Sequence, residues 1–174
     1  MRARAFLKAV TVDRGDALDR FLRLLETQGT DWCLVGGFAV NAYAEPVVTL
    51  DMDLVVAAGA TDAVSQAAVR IGFARQQFAH SVNLTATDSD LRIQIQTDPR
   101  YVPFVARAQP QVVLGLNMPV AASEDVLQGK IWAFQDSQRR NSKRQKDLAD
   151  ISRLLEAFPD LRRRVPSDVL QRLV

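Results

Sequence analysis

The stretch "LVGGFAVNAYAEPVVTLDMDLVV", residues 34–56, decides how the chain is read. Two apolar runs each adjoin something an apolar run does not need. The first, "DWCLV" (31–35), leads into Gly36 and Gly37; the second, "TLDMDLVVA" (49–57), contains Asp51 and Asp53. Both runs have the length and residue types of strands, and the segment between them, "GFAVNAYA", predicts a short helix opened by the glycines. Side chains alternate faces along a strand, so Asp51 and Asp53 point the same way. Two carboxylates side by side in apolar surroundings repel each other and resist desolvation unless a cation lies between them. A divalent ion held by two carboxylates and by phosphate oxygens is a common Mg²⁺ arrangement. Glycines at the junction of a strand and a helix let a phosphate approach backbone N–H groups. A triphosphate at the glycines and a metal at the aspartates together describe phosphoryl or nucleotidyl transfer.

Outward from this centre, helical spacing predicts a helix over 14–28, with Gly29 as its stop, and another over 60–72. "SVNLTAT" and "LRIQIQT" (91–97) alternate cleanly about "DSD" (88–90) and predict a hairpin. A short helix is expected after Pro99 and an extended run over 112–121. Ser123 is placed as the cap of a helix reaching Ser137, with Glu124 and Asp125 in its first turn. A polar basic loop over 139–146 follows, then a helix over 146–158 and a last short one after Pro166. The expected fold class is α+β: a mixed sheet flanked by helices, with a small C-terminal helical part. The expected division is a core over 1–120 and a helical part over 121–174 that packs on the same cleft.

Composition narrows the chemistry. The chain has 174 residues, 48% hydrophobic and 24% charged, with a formal net charge of +2. That is ordinary globular composition, without an apolar run of bilayer length. The basic start "MRARAFLKAV" lacks the apolar stretch of a secretory signal, and a cytoplasmic protein is expected, with no membrane partner. One cysteine and one histidine exclude intrachain disulfides and Cys/His zinc sites, leaving oxygen ligands for any metal. Cys33 reads as a small core residue, and His80 receives no role. "RRNSKRQK" (139–146) and "LRRR" (161–164) concentrate positive charge in the last third, either as solvated faces or as a phosphate-facing surface.

On these residues the sequence resembles the polymerase-β nucleotidyltransferase superfamily, in the form of the AbiEii-type bacterial enzymes, a group that includes toxins of toxin–antitoxin pairs. The shared features are Gly36-Gly37, the Asp51-x-Asp53 strand, "EDVLQGKIWAF" with Lys130, and "RQKDLADI" with Arg144, Lys146, Asp147 and Asp150. The resemblance runs from about residue 30 to 155 and implies a nucleotidyltransferase-like fold. It implies that Asp51 and Asp53 hold catalytic Mg²⁺ (or Mn²⁺), and that Gly36, Gly37, Thr49, Lys130, Lys146 and Asp147 serve the NTP. From the residues alone, Lys146, Asp147 and Asp150 also fit a charged helix start with a Lys146–Asp150 pair.

The implied function is transfer of an NMP from an NTP to a hydroxyl on RNA (such as a tRNA end), on a protein or on a small molecule, with an antitoxin protein as a candidate partner. The alternative is a non-enzymatic module of the same fold that binds a nucleotide or a partner. The sequence departs from the family where a third carboxylate is expected: that position is Gln94, which brings an amide oxygen but no charge. Asp98 has the same parity but lies about 13 Å further along a strand. Mg²⁺–NTP binding with slow or absent transfer is therefore expected.

Overall fold

The structure, a computed structural model, describes residues 16–173. The basic N-terminal run and the first two residues of the expected opening helix lie outside that range. Helix α1 (Ala17–Gln28) buries Ala17, Leu18, Phe21, Leu24 and Leu25, and stops at Gly29, whose φ of 58° is left-handed. Strand β1 (Trp32–Val35) leads directly into α2 (Gly36–Tyr43), and β2 (Asp51–Val56) follows. Then come α3 (Thr61–Arg70), β3 (Ala74–Gln77), β4 (Ser81–Thr85) and β5 (Arg92–Gln96). A 3₁₀ turn (Pro99–Tyr101) and α4 (Pro103–Ala106) precede the hairpin of β6 (Gln109–Val113) and β7 (Leu116–Val120). Helices α5 (Ser123–Gln135) and α6 (Asn141–Ala157), a 3₁₀ turn (Pro159–Arg164) and α7 (Ser167–Leu170) complete the order.

The seven strands form one mixed sheet in the order β3-β4-β5-β2-β1-β7-β6. β2 runs antiparallel to β1 and parallel to β5, so the aspartate strand sits near the middle. The core beneath it is continuous: Cys33, Leu34, Met52, Leu54, Val82, Leu84, Ile93 and Ile95 are all buried. Complete burial also pushes the Cys33 thiol up to about 12, which suits a packing residue. The α+β class and the flanked mixed sheet are thus observed.

Four local expectations are corrected. The extended run at 112–121 is a hairpin, turned through Leu114 (φ 55°) and Gly115 (φ 79°). Two residues with positive φ suit a tight hairpin turn, but Leu is not a residue that announces one. Strand β3 was not expected; all four of its residues are exposed, so no alternation marks it. It is held by backbone pairing with β4 and by Arg75, which donates to Ser65 and Asp62. Ser123 is the first residue of α5 rather than its cap, which is Ala122; the Ser123 hydroxyl turns to Glu124. Finally, the basic run 139–146 is mostly helix, because α6 begins at Asn141.

Candidate active site

The strand–helix junction and the aspartate strand meet by register. Val35, the last residue of β1, pairs with Asp53. The chain must then turn sharply into α2, and Gly36 does so at φ 64°. A Cβ at position 36 would lie 2.2 Å from Oδ2 of Asp53, so no side chain fits there. Carboxylate and bare backbone therefore share one small space. Gly37 is less constrained, since a Cβ there would meet the Thr49 hydroxyl at 3.4 Å, an ordinary contact. Thr49 is buried, and its Oγ1 accepts from the Asp51 backbone N–H at 3.4 Å.

The two aspartates have different electrostatic surroundings. Asp51 is held by Arg92 at 2.7 Å on one oxygen and by Lys143 at 3.2 Å on the other. Among the described residues, Asp53 has no ion-pair partner. Burial pushes its carboxyl up to about 6; Lys130 opposes that shift and Asp51 adds to it. Gln94 is the register partner of Asp53 on parallel β5, so the two side chains leave the sheet on the same side. Asn83 continues this polar row on β4.

Across a cleft of about 1060 Å³ stand α5 and α6. Lys130 is buried, with Nζ 3.1 Å from Asp147 and 2.7 Å from Asp150. Burial works against its charge, but the two aspartates outweigh it and raise its pKa. Arg139 holds the other oxygen of Asp147 at 2.6 Å, and Arg153 holds Asp150 at 2.7 Å. Arg153 also donates to Asn41 and to the Glu45 carbonyl, which ties α6 to the loop before β2.

Of the residues singled out in the sequence, Gly36, Asp53, Gln94, Lys130 and Asp147 line one cleft. Asp51 adjoins it through Lys143, and Thr49 and Gly37 lie just behind. Lys146 is not brought in: it is exposed on α6 and away from the cleft wall, while Lys143, one turn earlier, faces Asp51. The helical spacing explains this: Lys143 and Asp147, four apart, share the inward face, whereas Lys146, the immediate neighbour of Asp147, is turned about 100° from it. The Lys146–Asp150 pair is likewise replaced by Lys130 and Arg153 on Asp150. Asp98 reaches the cleft but is not a free ligand. It caps the 3₁₀ turn by accepting from the Arg100 N–H, and the Arg100 side chain beside it holds its carboxyl below the usual range. Sequence reasoning missed Lys143, Arg139 and Arg92; the basic run 139–146 was the signal for the first two.

A group of three or more His, Cys, Asp or Glu side chains placed to hold a metal is absent among the described residues. Asp51, Asp53 and the Gln94 amide nonetheless offer an all-oxygen donor set. Completed by phosphate oxygens, such a set suits a hard divalent ion. The unpaired charge of Asp53 against the open Gly36 backbone fits an ion that arrives with a nucleotide.

The family model for the nucleotidyl transferase AbiEii toxin of type IV toxin–antitoxin systems matches residues 17–173. The chain belongs to the AbiEii nucleotidyltransferase family. Solved structures share its fold. The antibiotic-resistance factor ANT(2'')-Ia superposes with a TM-score of 0.61 at 10% identity, over 90% of this chain and 86% of that one. The same factor in complex with adenylyl-2''-tobramycin gives 0.60 at 13%, over 90% and 97%. The lincosamide adenylyltransferase LnuA, bound to lincomycin, gives 0.55 at 15%, over 80% and 97%. At these identities the likeness concerns the fold. No curated protein matches by sequence. Nucleotidyl transfer with a divalent metal is the general chemistry of this AbiEii family. Among the described residues no helix is long and apolar enough to cross a membrane.

Proposed function

We propose that this AbiEii-family chain binds an NTP with Mg²⁺ or Mn²⁺ and transfers its NMP to a hydroxyl acceptor, releasing pyrophosphate. The observation that carries the reading is the Gly36–Asp53 contact: a phosphate drawn to the bare backbone of Gly36 meets the Asp53 carboxylate in the same step. Asp53, with Asp51, would hold the metal, and the bound ion would polarise the phosphate oxygens. Gln94 would orient the ligands beside Asp53 without adding charge. Lys130 would act on the triphosphate as part of an ionic cluster with Asp147, not as a free cation. Residues 1–120 would form the nucleotide-binding core, and 121–174 the part that closes the cleft. The acceptor hydroxyl would belong to RNA, a protein or a small molecule, and a toxin held in check by an antitoxin partner is the biological setting that the family supports.

A second reading, a nucleotide-binding module without transfer, is favoured by Gln94 and by the two cations already on Asp51. Pyrophosphate release with each NTP, in Mg²⁺ and in Mn²⁺, with bulk tRNA as acceptor separates the two. Release that depends on acceptor and is lost in Asp51→Asn supports transfer. Nucleotide retention without release, across tRNA and small hydroxylated acceptors, supports the module.

A further inference from the structure

We propose that the site takes one divalent ion rather than two, and that the Lys143 ammonium stands in for the acceptor-side ion. The inference rests on the nucleotidyltransferase reading above. The two aspartates divide the work. Asp53 has no ion-pair partner among the described residues and lies against the Gly36 backbone, so it is open to an ion carried in by a nucleotide. Asp51 is engaged on both oxygens, by Arg92 from β5 and by Lys143 from the first turn of α6. A second divalent ion on Asp51 would have to displace these cations or sit beside them. Its remaining protein ligand would be the Gln94 amide, which offers an oxygen but no charge to offset the repulsion.

A lysine supplies one fixed positive charge and three donors at that point, enough to orient an acceptor oxygen and a phosphate oxygen. Its backbone is well anchored. Asp147 and Asp150 tie α6 to Lys130 on α5, and Arg153 ties it to Asn41 on α2. The Lys143 side chain is still 35% exposed, so an acceptor can reach it from solvent. The neutral Gln94 and the charged Lys143 thus form a matched pair: loss of a carboxylate on β5 is balanced by a cation on α6.

The test counts Mn²⁺. Each of the four α,β-methylene nucleoside triphosphates is held below the protein concentration, and free Mn²⁺ is followed by electron paramagnetic resonance. The unaltered protein and Lys143→Arg should bind one Mn²⁺ per retained nucleotide, and Gln94→Asp alone should remain at one. Gln94→Asp combined with Lys143→Met should bind a second Mn²⁺ at least tenfold more tightly than either Gln94→Asp or the unaltered protein. Thermal melts confirm that each variant is folded. Two Mn²⁺ in the unaltered protein would overturn the inference while leaving nucleotide binding intact. So would a second ion gained equally by Gln94→Asp alone, or a double variant that stays at one. Failure to retain any nucleotide would overturn the nucleotidyltransferase reading and this inference with it.

Discussion

At Asp53 the fold accepts a cost that an unliganded protein would avoid. Its carboxyl is pushed up to about 6 from a reference of 3.8, chiefly by burial. The folded state therefore keeps a proton that the unfolded chain releases as pH rises from about 4 to about 6. Across that window the unfolded state binds fewer protons, so stability falls with rising pH, and above it the whole penalty is present. A shift of this size corresponds to roughly 2–3 kcal/mol. Asp53→Asn should stabilise the metal-free protein by about that amount at pH 7.5 and by much less at pH 4, as read from urea melts at the two pH values. The same variant should lose Mg²⁺-dependent nucleotide binding. Equal or lower stability at pH 7.5 would show that Asp53 is satisfied within the chain. In the unaltered protein, protons compete with the metal for this carboxylate, so nucleotide affinity should fall as pH drops through about 6. Gly36→Ala is the complementary case. It would force a left-handed residue with a Cβ 2.2 Å from the same carboxylate. A stability loss of about 1–3 kcal/mol is expected from the backbone and the clash, together with loss of nucleotide binding. Gly37→Ala should do neither, which calorimetry with a nucleotide titration can read.

At the scale of elements, the interface between α5 and α6 is ionic where sequence patterning looks for apolar stripes. Lys130, Asp147 and Asp150 are buried, and Arg139 and Arg153 close the cluster. The resemblance gives Lys130 a part in holding the NTP. In the fold it is also a structural cation, since Lys130→Met leaves two buried carboxylates short of a partner. Breaking such a cluster costs about 3–5 kcal/mol. Lys130→Met should lower the urea midpoint accordingly, and adding Asp150→Asn should recover part of the loss. Strict additivity of the two losses would show that they do not interact. The same cluster explains what was and was not legible in the sequence. β2, β4 and β5 announced themselves because Met52, Leu84 and Ile93 alternate with polar residues over a buried face. The pairing of Asp51 with Asp53 could be read for the same reason. The start of α6 could not, because its first two turns are fixed by Lys143 on Asp51, Arg144 on the Phe134 carbonyl and Asp147 on Lys130. These are contacts with distant residues, and local periodicity carries no trace of them. Lys146 was selected over Lys143 by motif alone, and only the rotation of the helix distinguishes them.

At the scale of the whole molecule, the question is how much of the basic C-terminal third faces a polyanion. The sequence places five cations in the run 139–146, Arg139, Arg140, Lys143, Arg144 and Lys146, a run that reads either as a solvated face or as a phosphate-facing surface. In the folded chain three of these are committed: Arg139 to Asp147, Lys143 to Asp51 and Arg144 to the Phe134 carbonyl. Arg140 and Lys146 are exposed. Arginine and lysine side chains line the cleft in the same number as aspartates, so its field is weaker than the sequence suggests. Each phosphate neutralised by a protein cation releases condensed counterions, and for single strands the slope of log affinity against log salt is about −0.7 per contact. An RNA strand running from Arg140 at the cleft to Lys146 on the outer face of α6 should therefore bind with a slope of only about −1.4. Fluorescence anisotropy of labelled tRNA between 50 and 200 mM salt gives that slope directly. The exposed arginines 162–164 of the second 3₁₀ turn offer three further charges. If they join the RNA footprint, the slope should steepen to about −3.5, and Arg163→Ala should return about 0.7 of it. No measurable tRNA binding at 50 mM salt would leave the charge-balanced cleft to a small hydroxylated acceptor or a protein side chain, with pyrophosphate release insensitive to salt over the same range.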